Sequence, residues 1–252
     1  GNPTISLAAS GVTAGTYGSM DKLVSLTLTA GGQASAVSEI VISTAYVESP
    51  LSGGNTKIGV SAQGSLTTGK TNTAVGSSSQ SSVTSAIANT AVGARTQLAL
   101  TTGIGNTAVG AYSQIGVTTG NSNTAVGLSS QVALTTGNAN TAVGTASQTA
   151  LTIGTYNTAI GSWSQPAMTD GSRNTAIGSY AQYLLTTGSY NTCIGTNAGY
   201  DITSGSNNTI IGSAYGTASM SNNVILATSD TAGVIVAQHN ATDWEMKGAL
   251  FQ

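Results

Sequence analysis

Asn123-Thr124-Ala125-Val126-Gly127-Leu128-Ser129-Ser130-Gln131-Val132-Ala133-Leu134-Thr135-Thr136-Gly137-Asn138-Ala139 is one copy of a unit that recurs along this chain. The Asn that opens it stands at 55, 72, 89, 106, 123, 140, 157, 174, 191 and 208, a constant step of seventeen residues without insertion. A fixed period marks a stacked repeat in which each unit buries its apolar side only against its neighbours. A helical reading fails, because glycine occurs twice in nearly every copy at a cost of about 1 kcal/mol per interior position. Short strands fit better.

The columns of the repeat carry different messages. Three residues after each Asn stands only Val or Ile, and the residue between, two after the Asn, is Ala in seven of ten copies, with Lys57 at the start and Cys193 and Ile210 at the end. In a strand these two columns face opposite ways, with the Thr column on the Val side. Eleven after the Asn comes Leu66, Val83, Leu100, Val117, Leu134, Leu151, Met168, Leu185 or Ile202, which predicts one inward residue per coil from a second apolar segment. Two glycine columns, four and fourteen after the Asn, predict turns that need positive φ or close backbone approach. Asn at position one and Gln at 63, 80, 97, 114, 131, 148, 165 and 182 read as hydrogen-bonding ladders and not as a ligand array.

Ten coils stacked at ~4.8 Å predict a rod about 48 Å long. Two buried Val or Leu per coil contribute roughly 5 kcal/mol against a far larger ordering cost for seventeen residues, so further partners are expected. A column held to Ala implies another backbone lying close against it. The expectation is a neighbouring chain about a symmetry axis, hence a homotrimer.

Composition supports a fibre. Only 6% of the 252 residues are charged, against about a quarter in ordinary domains. Glycine supplies 33 residues, proline three and aromatics 5%, and the formal charge is −2. No basic stripe is present for nucleic acid, and no apolar run approaches the ~20 residues of a spanning helix, so membrane insertion is not expected. One His and one Cys exclude a protein-built zinc site and an intrachain disulfide, and no cofactor is expected. Gly1 in place of Met suggests a fragment or a processed chain.

The pattern Asn-Thr-Ala-Val-Gly with a later Ser-Gln and Thr-Thr-Gly resembles the repeats of phage tail-fibre proteins. More loosely, it is similar to the left-handed β-rolls in the heads of trimeric autotransporter adhesins, whose coils are usually shorter. Residues 6–43, containing Leu7-Ala-Ala-Ser-Gly-Val-Thr-Ala-Gly-Thr-Tyr-Gly18 and two alternating runs around Gly31-Gly32, look like the shaft modules of long tail fibres and read as a β-hairpin. Asn222-Asn223-Val-Ile-Leu226 reads as a degenerate eleventh coil. Residues 233–248 read as a hairpin turning near Asn240, with Trp244 capping the stack. What the resemblance implies is a virion fibre, extracellular, assembled as a trimer and joined to other tail-fibre proteins.

The resulting expectation is an all-β chain. A shaft module spans 1–50, a parallel β-solenoid of ten seventeen-residue coils spans 51–216, and a degenerate coil with a capping hairpin spans 217–252. Catalysis is not expected, because inside the coils only Asp170 and Asp201 are acidic and they sit at different phases of the repeat. Solvent is expected at the position six after each Asn. Aromatic residues gather in the later coils, and Tyr156, Trp163, Arg173, Tyr180, Tyr183 and Tyr190, with Tyr200 near them, are the candidate contact surface for a host glycan or an outer-membrane protein. The plainer alternative is that these rings pack across coils or between chains. His239 and Asn240-Ala241-Thr242 read as turn chemistry, and Cys193 as a small buried apolar residue. The rival functions are a bacterial trimeric adhesin head, an ice-binding solenoid presenting Thr ladders, and a polysaccharide depolymerase.

Overall fold

The computed structural model describes residues 53–228, together with the backbone of strands at 22–28, 34–41, 47–51, 235–239 and 244–249. The chain forms two compact units, 1–46 and 47–252. In the first, β1 (Lys22–Leu28) pairs antiparallel with β2 (Ala34–Val41) as an isolated two-stranded sheet. This is the arrangement expected around Gly31-Gly32, which themselves lie outside the described residues.

The second unit is a β-solenoid. Strand β3 (Val47–Leu51) runs antiparallel to β4 (Asn55–Ile58). Eight three-residue strands follow, β5–β12, opening at Thr73, Thr90, Thr107, Thr124, Thr141, Thr158, Thr175 and Thr192. Each pairs in parallel with the strand one coil on, Thr to Thr and Val or Ile to Val or Ile, without a register shift. The stack continues through β13 (Thr209–Gly212) to β14 (Asn223–Ala227), so the degenerate eleventh coil is real. This last coil is two residues short, since its rungs connect residues fifteen apart. Strands β15 (Ile235–His239) and β16 (Trp244–Ala249) then close the sheet in antiparallel fashion. Residues 240–242 and the side chains of His239 and Trp244, which carried the turn and cap expectations, lie outside the described residues. Among the described residues there is no helix.

The strands are short because both ends are built to stop them. Each closing Gly, from Gly59 to Gly212, has φ between 109° and 136°, a region that residues with a side chain rarely enter. A Cβ on Gly127 would also meet the Gly144 carbonyl oxygen at 2.6 Å. The second glycine column has a different cause. Gly137 has an ordinary φ, but a Cβ there would lie 2.4 Å from the Gly154 oxygen and 2.5 Å from Leu134 Cδ1.

Inside the coil, amide ladders do most of the polar work. Each Asn Oδ1 accepts the backbone N–H and the Nδ2 of the next coil's Asn, and each Nδ2 also donates to the carbonyl fourteen residues on, as Asn140 does to Gly154 at 2.8 Å. A buried side-chain amide is stable only when its donors and acceptors are paired, and this arrangement pairs all of them in every middle coil. Beside it runs a Gln ladder in which each Nε2 donates to the next Oε1 at 2.6–3.1 Å, from Gln63 to Gln182. At the first rung, Gln63 Oε1 is buried without a hydrogen-bond partner among the described residues. The third inward column is Val83, Leu100, Val117, Leu134, Leu151, Met168, Leu185 and Ile202, all fully buried.

Two expectations are corrected. The Ala stripe does not need a second chain, because Ala74 through Ala176 are fully buried within this chain's own coil. What surrounds them is their own coil: the Gln and Leu side chains are buried in the same narrow interior and leave room for a methyl group. The Val/Ile column, which the burial argument counted as inward, faces out. Seven of its members keep 36–45% exposure.

The second apolar segment is not a strand either. Gln at its start has φ of 46–50°, which breaks the extended path. The backbone beyond turns so that three consecutive N–H groups, those of Thr84, Ser85 and Ala86, all donate to Thr101 O at 3.1–3.2 Å.

The Gln ladder ends where the Ala stripe ends. Gly199 replaces Gln in the ninth coil, and Cys193 and Ile210 replace Ala in the ninth and tenth. A Cβ at Gly199 would meet Cys193 Sγ at 2.6 Å, so the larger column residue has taken the volume that glutamine vacated. Cys193, Ala198, Ile202, Ile210, Ala214 and Ile225 form an apolar end to the core.

Candidate surface site

Backbone geometry puts the aromatic residues where they stand. Each middle coil holds left-handed residues at three places: six, eight and sixteen after the Asn, with φ of 48–60° throughout coils 2 to 9 where the residue is not glycine. Position eight is the buried Gln. Positions six and sixteen face outward, one after each strand and one just before the next Asn, except that Ala146 at position six is buried and so departs from the solvent expected there. They flank the outward Thr/Val face on its two sides.

Left-handed backbone favours Gly and Asn and is uncommon for bulky side chains. Positions six and sixteen nonetheless hold Tyr112, Trp163, Tyr180, Tyr156, Arg173 and Tyr190 in the middle and later coils. An outlier of this kind points to a use for the side chain.

The structure gathers five of the six predicted residues into two groups. On one corner, Tyr156, Arg173 and Tyr190 occupy position sixteen of three successive coils. The Arg173 guanidinium carbon lies 5.7 Å from the Tyr156 ring centroid and 5.2 Å from that of Tyr190. Its Nη1 donates to the Tyr190 hydroxyl at 2.5 Å. On the other corner, Tyr180 and Tyr183 pack with centroids 5.5 Å apart, Tyr183 stacks on Tyr200 at 4.9 Å and 10°, and Tyr200 meets Tyr215 at 5.7 Å. Trp163 is 41% exposed and makes no ring contact among the described residues.

Tyr215 was missed in the sequence. It follows its Asn by seven residues, whereas Tyr183 and Tyr200 follow theirs by nine. The two-residue deletion in the last coil shifts it into the same column, and the bond from Asp201 N to Tyr215 O repeats the one from Leu184 N to Tyr200 O. A gapped alignment of the last coil to the others is the signal that finds it.

The chemistry available at these corners is contact chemistry: ring faces, tyrosine hydroxyls and the guanidiniums of Arg95 and Arg173. Among the described residues no group of three His, Cys, Asp or Glu side chains comes together. No helix among them is long and apolar enough to cross a membrane. Cys193, the one thiol, is buried in the end core; desolvation pushes it up to about 12, opposed by a hydrogen bond with Gln182. Compared with known proteins, the chain matches no family model, no curated protein and no solved structure.

Proposed function

We propose that this chain is a stiff, non-enzymatic segment of a homotrimeric extracellular fibre, of the phage tail-fibre kind, that meets a cell surface through its aromatic corners. The observation that carries this reading is the outward Val/Ile column. It runs unbroken from Val75 to Ile211 and on to Leu226, on strands in perfect register, with no charged residue in the strands from Thr73 to Ala227. A contiguous apolar strip of that length on a soluble rod marks an association surface. An in-register ladder suits identical neighbours laid side by side, which favours this face over the alanines for the trimer contact. The aromatic corners flank it and face outward for attachment.

Two measurements test it. Light scattering on the purified chain is expected to give three times the 24.7 kDa chain mass. Replacing Val126 and Ile177 with Lys is expected to yield monomers, since unpaired charges buried at a packed interface are strongly unfavourable. A stable wild-type monomer rejects the assembly. Replacing Trp163 and Tyr180 with Ser is expected to weaken adsorption to host cells; unchanged adsorption of the trimeric double variant removes that corner from the contact.

One observation favours a second reading. Thr and Val share the outward face at a regular spacing across the same strands, as an ice-ordering surface would require. It needs this face to be open to water, so a monomer with thermal hysteresis selects it over the fibre.

A further inference from the structure

Position sixteen of the coil is filled by Thr71, Ala88, Gly105, Ser122, Ala139, Asn207 and Asn222 elsewhere in the stack. These are small or amide residues, as a left-handed corner with φ near 57° prefers. Tyr156, Arg173 and Tyr190 depart from that preference together, in three adjacent coils, and they contact one another. The backbone would be better served by Gly or Asn, as at Gly105, Asn207 and Asn222, so the reason for these three lies in their side chains.

Their arrangement prepares the arginine. The guanidinium lies between two tyrosine rings, one a coil before it and one a coil after, and the Tyr190 hydroxyl takes one of its five N–H donors. Holding a long flexible chain between two rings removes part of the entropy that binding would otherwise cost. The Tyr190 hydroxyl takes one donor at Nη1, and the remaining N–H groups of the planar fork are left to match a carboxylate two bonds at a time. No described carboxylate bonds to it: Asp170, three residues earlier, is engaged by Thr169 Oγ1 at 3.3 Å. Both tyrosines are open to solvent, at 61% and 53%. Two coil steps span about 10 Å, a length that two linked sugar rings cover.

A ligand matched to this column has a carboxylate for the guanidinium edge and C–H faces flat enough to stack on tyrosine. We propose that Tyr156, Arg173 and Tyr190 form a binding site for a carboxylate-bearing sugar of an acidic polysaccharide. The proposal rests on the reading that these corners meet a cell surface, and it names the chemical class of what they meet there. An acidic protein offers carboxylates without the sugar face and is the rival that the test separates.

The test is titration of the full-length chain with oligogalacturonate and oligosialate, the two common sources of a sugar carboxylate. Methyl-esterified oligogalacturonate, dextran and polyglutamate complete the panel. At least one acidic sugar is expected to bind, with its neutral or esterified counterpart weaker by roughly tenfold or more. Arg173→Ala is expected to lose about the same factor, and Arg173→Lys to fall between, because an ammonium lacks the planar fork. Arg173→Ala is expected to fold, since Ala88 and Ala139 occupy the same place, and an unchanged melting curve checks this. Arg95→Ala removes an equal charge at the other corner and is expected to leave affinity unchanged.

The site is overturned if neither acidic sugar binds, if Arg173→Ala binds as well as wild type, if Arg95→Ala weakens binding equally, or if polyglutamate binds as tightly as the sugars. Adsorption of the wild-type chain to cell envelopes separates the two levels. Adsorption that survives Arg173→Ala discards this ligand class alone, whereas a wild-type chain that adsorbs to no envelope discards surface attachment itself.

Discussion

Asn140→Ala, a change to a single ladder amide in the middle of the stack, is expected to cost about 3–8 kcal/mol of stability. The side chain makes four hydrogen bonds: Nδ2 to Asn123 Oδ1 at 3.1 Å, Nδ2 to Gly154 O at 2.8 Å, and Oδ1 from Asn157 N and Nδ2 at 3.0 and 3.1 Å. Removing it orphans the Gly154 carbonyl and the Asn157 N–H, each at about 1–3 kcal/mol for a buried unsatisfied group. Asn123 Oδ1 and Asn157 Nδ2 keep one other partner each, so their losses are nearer 0.5–1 kcal/mol apiece.

The comparison is Asn223→Ala in the last coil. That side chain loses one good bond, to Ser221 O at 2.8 Å, and one long one, to Asn208 Oδ1 at 3.5 Å, for about 1–2 kcal/mol. Guanidinium unfolding of both variants measures the difference, and hydrogen exchange at the Asn157 amide locates it. In a solenoid each coil touches only its neighbours, so exchange should rise around coils 140 and 157 and not along the whole rod. A cost below about 1 kcal/mol, or one no larger than that of Asn223→Ala, refutes the idea that the asparagine ladder holds the coils together.

Gly127→Ala should destabilise strongly, because φ is 132° and the new methyl meets the Gly144 carbonyl carbon and oxygen at 2.7 and 2.6 Å. Gly105→Asn, by contrast, should be nearly neutral in the same melting assay, since φ is 69° and the nearest neighbour of the new Cβ is 3.9 Å away. Cys193 should resist alkylation at neutral pH until the chain is unfolded, and rapid labelling of the native chain contradicts its burial. Its thiol loses its proton near 9.0 when unfolded and near 12 when folded. Below that window its contribution to stability is complete, and it declines as pH rises from about 9 to 12 while the unfolded chain alone ionises. Cys193→Ala should remove this part of the alkaline loss, as pH-dependent denaturation would show.

Much of the architecture is legible in one copy of the repeat. The seventeen-residue step, the two glycine columns, the inward Leu and the stacked Asn and Gln all follow from residue types recurring at fixed offsets, because a stacked coil must present the same chemistry to the coil on either side. The degenerate coil at Asn223 is legible for the same reason. The end of the Gln ladder and the enlargement of the Ala column at Cys193 and Ile210 are also written in the chain, as a compensation of volumes across columns that no single column reveals.

The surface columns were less readable. Aromatic residues at positions six and sixteen stand out in the sequence, but their grouping into Tyr156, Arg173 and Tyr190 on one corner and Tyr180, Tyr183, Tyr200 and Tyr215 on the other depends on which offsets share an edge. Glutamine carries no sign that it takes left-handed backbone, so the second apolar segment looks like a strand when it is a series of turns.

Periodicity therefore specifies that Thr and Val lie on one side of each strand and Ala on the other, since alternation is a property of the local backbone. It does not say which side is inside. That was settled by the cross-section of the closed coil, where a leucine, a glutamine and an asparagine already occupy the interior, so that a methyl group fits the space remaining and the valines are left facing out.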